Sequence, residues 1–224
     1  RSPRSEDPCA GKDVLNWAVL FWLLPVLLSA CAPRTLPSAP LSAPSSLAAL
    51  EGVEGGAPLY WWGCRFKMAW PPETEPDFAV DLLLAHGVIG PVLKEIRLPL
   101  WRVHRRAAPD LSGHQFSFLF YSNARASADV AEKVSQNKIL QKALSAQIVE
   151  RFSCDDARQT GRPGLESMSD PNWSPRLQKH WPAFIMGVSS LWLGLIDEAL
   201  AGLPPHNGDF TKLLEQVREA ETEV

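Results

Sequence analysis

Cysteine is scarce in this chain, and neither sign of charge predominates. Four cysteines among 224 residues are too few for a small fold that is held together by disulfides. The 22 Lys and Arg residues are balanced by 25 Asp and Glu residues, which gives a formal net charge of -3. A nucleic-acid-binding domain normally presents a strongly basic face. The composition therefore excludes a disulfide-dense scaffold and predicts that nucleic acid is not a partner.

Catalytic and metal-binding motifs are also missing. The sequence contains no HExxH, no CxxC, no Gly-x-Ser-x-Gly elbow, no Walker loop and no dinucleotide-binding glycine fingerprint. Its five histidines are scattered, and no two have the i, i+4 spacing of helical metal ligands. We therefore predict no catalytic residue, no cofactor and no metal site. Apolar residues nevertheless make up 46% of the chain, which is enough for a folded core.

The longest apolar run lies near the N-terminus. It extends from Trp17 to Leu28 and is followed directly by Ser29-Ala30-Cys31. A run of this length is short for a membrane span and typical of the hydrophobic region of a signal peptide. Its end, Leu-Ser-Ala-Cys, resembles the lipobox of bacterial lipoprotein precursors. The resemblance covers only about the first 31 residues.

This resemblance implies lipidation and a location in the cell envelope. Cleavage before Cys31 would leave this cysteine as the acylated N-terminus of the mature protein, anchored in a membrane. Ala32 stands where an aspartate would favour the inner membrane, so we expect the outer membrane, on its periplasmic side. Two alternatives stay open: an uncleaved transmembrane anchor over residues 14–32, and a buried helix.

The composition changes abruptly after Cys31. Of the 27 residues in 32–58, 18 are Pro, Ala, Ser or Gly. Prolines that recur every three or four positions prevent a continuous helix, and the segment has too little apolar surface to form a core. We interpret it as a linker, which could reach about 90 Å when fully extended.

Three stretches beyond the linker alternate apolar and polar residues. The first lies between Tyr60 and Trp70. Period-two alternation is typical of a strand with one buried face. Two further strands are predicted at 98–106 and 114–121, and we expect them to form an antiparallel hairpin beside the first.

Helical spacing of apolar residues predicts four helices. They cover residues 77–86, 127–152, 175–201 and 210–221. The first is interrupted at Gly87, Gly90 and Pro91, after which a short helical turn could resume through Ile96. Strands followed by helices favour an α+β fold. We predict one globular domain over 59–224, in which a small three-stranded antiparallel sheet packs against about four helices.

The helix at 175–201 is apolar on nearly every side. Such a helix is normally covered by several neighbours, so we expect it to be the most buried element. The residues expected among the least exposed are Ile185, Val188, Leu191, Trp192 and Leu195. Gly187 and Gly194 should mark the close approach of another backbone, since glycine inside a helix otherwise costs about 1 kcal/mol relative to alanine.

A pair of cysteines and a cluster of basic residues are candidates for a chemical role. Signal cleavage would leave Cys64 and Cys154 in an oxidising compartment, where they could form a disulfide or stay as buried thiols. The basic cluster consists of Arg102, Arg105 and Arg106, preceded by Lys94 and Arg97. It could contact an anionic ligand, lipid headgroups or an acidic patch of an envelope protein. The alternative is a solvated edge strand that is protected by its charges.

Polar residues elsewhere give weaker candidates. Asp155, Asp156 and His180 could form a catalytic set, but the two aspartates are more typical of a polar helix end. His104 and His114 could face each other across the predicted hairpin, as a weak metal site or as a solvated hairpin tip.

The aromatic residues and the missing motifs lead to two functional hypotheses. Trp61 lies on the sheet face opposite the apolar one, which suits a ligand groove, a membrane contact or a second covered face. The first hypothesis is an envelope lipoprotein of unknown activity whose domain binds a partner or ligand. The alternative is a membrane-anchored periplasmic enzyme of unrecognised type. The absence of catalytic motifs favours the first.

Overall fold

Four strands form one antiparallel sheet. The computed structural model describes residues 57–203 and 209–221, so the predictions for the signal segment, Cys31 and residues 32–56 lie outside the described residues. The strands are β1 (Tyr60–Met68), β2 (Leu100–Ala107), β3 (His114–Ser122) and β4 (Val149–Cys154). Their order in the sheet is β2-β3-β1-β4. The predicted hairpin and its place beside β1 are confirmed, but the sheet has four strands rather than three.

The described residues contain five helices. The first, α1, consists of three consecutive segments: α-helical Ala79–Leu84, a π-helical turn at Ala85–Ile89 and α-helical Gly90–Glu95. The others are α2 (Ala124–Ser135), α3 (Lys138–Ser145), α4 (Pro175–Ala201) and α5 (Phe210–Glu221). A short 3-10 turn, Leu165–Met168, precedes α4. The α+β class is confirmed, as are the predicted bounds of α4 and α5.

One face of the sheet forms the core together with α1. The side chains that β1 and β3 contribute to this buried cluster are Trp62, Cys64, Phe66, Met68, Phe116, Phe118 and Phe120. They follow the alternation that the sequence predicts, because successive residues of a strand point to opposite faces. All six residues of Ala79–Leu84 are buried as well. The segment Ala79–Leu84 is therefore the most completely enclosed piece of helix in the described chain.

Helix α1 continues through Gly87, Gly90 and Pro91 without the predicted interruption, and the helical turn expected after them is its last segment. Pro91 lies in the first turn of the last segment, just after the π-helical turn, where the hydrogen-bond register changes and a missing N–H is tolerated. Gly87 faces α3, because a Cβ built on it would lie 2.5 Å from Cδ1 of Ile139. This glycine therefore marks a close contact between helices instead of a helix end.

The helix predicted over 127–152 is instead two helices followed by β4. Asn137 begins α3, since its side chain accepts hydrogen bonds from the first free backbone N–H groups. The end of α3 is a Schellman motif, in which the Ile148 N–H bonds to the Ala143 carbonyl and Gln147 has a left-handed φ of 57°. The apolar i, i+4 spacing continues across both breaks, which is why the periodicity did not reveal them.

Helix α4 has the predicted bounds but not the predicted burial. Its buried residues are Pro182, Ser189, Leu193, Ile196 and Leu200. In contrast, Phe184 is 60% and Leu191 is 66% exposed. The expectation that α4 is the most buried element is wrong, because α1 belongs to the core of the sheet and α4 packs along the edge strand β2. A Cβ added at Gly187 or Gly194 would contact nothing within 4 Å beyond the adjacent backbone of its own helix, so these glycines do not mark a close approach of another described element.

Candidate functional site

Exposed apolar side chains are concentrated on α4. Six large apolar residues are exposed in the described part of the chain, and five of them belong to this helix. The five are Leu177, Phe184, Val188, Leu191 and Leu195. The spacing of the last four, at intervals of four, three and four residues, places them on one side of the helix. We call Phe184, Val188, Leu191 and Leu195 the outer face of α4.

The domain holds α4 in a defined orientation. The Ser189 hydroxyl accepts a hydrogen bond of 3.2 Å from the backbone N–H of Val103 in β2. The Arg105 guanidinium lies 5.2 Å from the centre of the Trp192 ring, and that ring lies 6.3 Å from Phe116. These contacts all come from the inner side of the helix. The outer face therefore points away from the sheet.

Charged residues occur only at the two ends of α4. They are Arg176 and Lys179 in the first turns, followed by the titratable His180, and Asp197 and Glu198 near the end. Between Trp181 and Ile196 the helix carries no charge at all. Asp197 lies 2.6 Å from Nδ1 of His86 in α1, whereas Arg176, Lys179 and Glu198 are exposed and form no ion pair with any other described residue. The outer face is thus an uncharged strip with a basic end and an acidic end.

Aromatic rings extend this strip beyond its basic end. The ring centres of Trp173 and Trp181 are 4.8 Å apart, and those of Trp181 and Phe184 are 5.2 Å apart. Trp173 belongs to the loop before α4, so the apolar surface continues from the helix onto that loop. Aromatic side chains are enriched at protein interfaces and among the residues that dominate their binding energy. The surface therefore has the composition of a binding site for an apolar partner.

The three arginines of the predicted basic cluster point to two faces of β2. Arg105 lies on the core side, 5.0 Å from the Phe78 ring and 4.0 Å from the Asp81 carboxylate. Arg102 and Arg106 alternate with it onto the opposite face, where burial lowers the pKa of Arg102 and Arg106 pairs with Asp110. The two preceding basic residues, Lys94 and Arg97, are exposed outside the strand. Anion binding by this cluster stays a prediction.

The face of the sheet that carries Trp61 is covered by the chain itself. The Trp61 ring is 5.4 Å from Tyr121, and its Nε1–H donates a hydrogen bond of 3.1 Å to the Leu165 carbonyl. Only 2% of Trp61 is exposed. Of the three roles considered for this residue, the structure supports a second covered face.

The segment that follows β4 and contacts Trp61 is called the cover here. Asp155 links this cover to β1. It accepts hydrogen bonds of 2.8 Å from the Gly63 N–H and 2.7 Å from Arg65 Nη1, and it also pairs with Arg162. Arg162 in turn donates to the Trp61 carbonyl. Burial alone would raise the pKa of Asp155, but the hydrogen bonds from the two arginines outweigh it and hold this pKa below its ordinary value. Asp155 therefore follows a strand and has a structural role, not a place at a helix end.

The other polar candidates are separated in the structure. Asp156 pairs with the exposed Arg158, and His180 is exposed on α4. His104 lies opposite Ser117 in the β2–β3 ladder, so the expectation that it faces His114 across the hairpin is wrong. Nothing in the described residues joins these side chains into a catalytic set.

The structure contains a buried ionisable pair that the sequence analysis missed. His114 Nε2 lies 3.1 Å from Asp81 Oδ2, and both side chains are completely buried. Burial raises the pKa of Asp81, against the lowering effects of His114 and Arg105. The signal was a single acid inside the apolar run Ala79–Leu84, but its partner lies 33 residues further along the chain.

The two candidate cysteines occupy adjacent strands. Cys64 of β1 and Cys154 of β4 are opposite each other in the ladder and form a disulfide. Within residues 57–203 and 209–221, no three His, Cys, Asp or Glu side chains are grouped as a metal site would require. The described part of the chain has one helix, α4, that is long and apolar enough to cross a membrane by length and composition.

Comparison with known proteins leaves the site to be interpreted from its own geometry. No protein-family model, no curated protein and no solved structure matches the chain.

Proposed function

We propose that this protein is a membrane-tethered interaction domain that binds its partner through the outer face of α4. The observation that carries the proposal is the exposure of Phe184, Val188, Leu191 and Leu195 on one side of a helix whose other side is fixed to the domain. Single exposed apolar residues are common on soluble proteins, but a contiguous apolar patch marks an interaction site.

The proposed tether is the lipid on Cys31. The apolar run that ends in Leu-Ser-Ala-Cys, followed by a linker rich in proline and alanine, supports this part of the proposal. Mass spectrometry of the native protein should find a diacylglycerol-modified peptide that begins at Cys31. A Cys31→Ser variant should leave the membrane fraction or accumulate as the uncut precursor. An unmodified Cys31 within an intact N-terminal peptide would contradict the tether.

A photo-crosslinking amino acid placed in the full chain tests the binding face directly. At Leu191, we expect illumination of living cells to give a crosslinked product of discrete size. Leu111 is the matched control, because it is a fully exposed leucine in the turn between β2 and β3. It should give no such product. Equal, diffuse labelling from both positions would contradict a binding role for α4, whatever the state of Cys31.

A further inference from the structure

We infer that the partner of the outer face of α4 is a second copy of this chain, docked with the two α4 helices antiparallel about a two-fold axis. The inference rests on the proposed function, because it names the occupant of the same face. Three features of the helix support it: the register of its exposed side chains, the charges of its two ends and the positions of its glycines.

The exposed side chains are complementary to themselves. When a two-fold axis passes midway between Val188 and Leu191, Val188 of one copy faces Leu191 of the other, and Phe184 faces Leu195. The spacing of four, three and four residues is the one with which helices interlock their side chains along a shallow crossing. The four residues therefore supply both halves of an isologous interface.

The charges at the ends select the antiparallel orientation. In that orientation Arg176, on the flank of the outer face at the basic end of one helix, lies near Glu198 of the second copy, and Lys179, on the far side of the helix, adds positive charge to the same end. All three residues are exposed and have no ion-pair partner in the described part of their own chain. A parallel arrangement would instead bring the two basic ends together, and like charges in contact disfavour association.

The glycines provide room for a second helix. Gly187 and Gly194 are exposed beside Leu191, and the space where a Cβ would stand is open at both. Small residues at such positions allow two helices to approach closely and admit larger side chains from the other helix. Glycine inside a helix is unfavourable relative to alanine, and a packed second copy offsets this cost where the monomer does not.

A lipid surface fits the outer face less well. Helices that lie on a membrane usually carry Lys or Arg along the polar edge of their apolar face. Helix α4 has no cation between Trp181 and Ile196, and Glu198 extends the exposed strip with a negative charge. Binding to a bilayer would also not require the open space at Gly187 and Gly194.

Charge reversal in the full chain distinguishes a second copy from every other occupant. Two differently tagged copies are co-expressed, extracted in mild detergent and purified through one tag. The variant Arg176→Glu/Lys179→Glu has exposed acidic residues at both ends, and the variant Glu198→Lys has an exposed lysine or arginine at both ends. Each variant alone should reduce co-purification by roughly threefold or more, since both symmetry-related contacts become repulsive. Co-expression of the two different variants should restore it, because their ends are complementary again.

Leu191→Asp provides an independent test of the association, with Leu111→Asp as its control. Leu191 is exposed, so the aspartate should leave the circular dichroism spectrum unchanged while it abolishes co-purification. The control should co-purify like the wild type. The inference is overturned when the two charge variants fail to rescue each other, or when Leu191→Asp copies still associate. Crosslinking from Leu191 to lipid or to a different protein would also overturn it, while the proposed binding role of α4 would stand.

Discussion

Trp61 and Leu191 are two apolar residues whose environments are opposite to those that their sequence contexts favour. Trp61 lies beside charged residues on the polar side of its strand, yet it is only 2% exposed. Leu191 lies in a long helix that is apolar on nearly every side, yet it is 66% exposed. The difference shows that burial at these two positions is decided by what the rest of the chain places over them.

The polar residues around Trp61 account for its burial. Asp155 and Arg162 join the segment that follows β4 to β1, and this segment then covers the second face of the sheet. No described residue does the same for the outer face of α4. The first surface is therefore covered by the described residues, whereas they leave the second exposed.

The largest expected effect concerns the inner side of α4. Leu193 is 9% exposed and packs in the core cluster, so Leu193→Ala should lower the free energy of unfolding by about 2–4 kcal/mol through lost burial and a residual cavity. Urea denaturation followed by circular dichroism measures this change. A loss below about 0.5 kcal/mol would mean that α4 is not fixed to the domain, and the contrast between its two sides would disappear.

A somewhat smaller effect is expected from uncovering Trp61. Asp155→Ala removes the acceptor of the Gly63 N–H and leaves the half-buried Arg162 without its carboxylate, which should cost about 2–3 kcal/mol. The matched control is Asp156→Ala, whose partner Arg158 is 90% exposed and whose loss should be nearly neutral. Equal effects of the two variants would show that Asp155 does not hold the cover.

The same carboxylate makes the cover sensitive to acid. Because the folded state lowers the pKa of Asp155 below its ordinary value of 3.8, the stabilisation is fully present above that value and is lost as the pH falls through the folded pKa. The difference in unfolding free energy between the wild type and Asp155→Asn should therefore be constant near pH 6 and shrink below about pH 4. Urea titrations at several pH values test this. A difference that does not change with pH would mean that the substitution acts through altered packing and not through the lost charge.

The contrast also shows which features the sequence could predict. The strands β1, β2 and β3 and the bounds of α4 and α5 follow from local alternation, from helical spacing and from proline and glycine at the ends. The cover of Trp61 depends on Leu165, which is 104 residues away, and the partner of Asp81 is 33 residues away. Periodicity within one segment carries no information about such distant contacts.

Two local features could not be predicted from the periodicity either. The helical pattern of 127–152 continues across Asn137 and Gln147, so it hid a helix start and a Schellman motif. The apolar circumference of α4 indicated that both sides of the helix would be buried. Among the described residues, however, only the inner side is buried.

The smallest expected effect is that of Leu191→Ala in the isolated chain. Leu191 and Leu193 are the same residue type, two positions apart on one helix, and the substitution removes the same atoms from each. Because Leu191 is already 66% exposed, its truncation should change the free energy of unfolding by less than about 0.5 kcal/mol in dilute solution. At protein concentrations where two copies associate, the wild type should gain stability with concentration, since binding favours the folded state, and Leu191→Ala should gain less. Denaturation curves of both leucine variants over a hundredfold range of concentration separate the two contributions. If Leu191→Ala costs as much as Leu193→Ala at every concentration, the outer face is covered within its own chain, and α4 is then as buried as its composition first indicated.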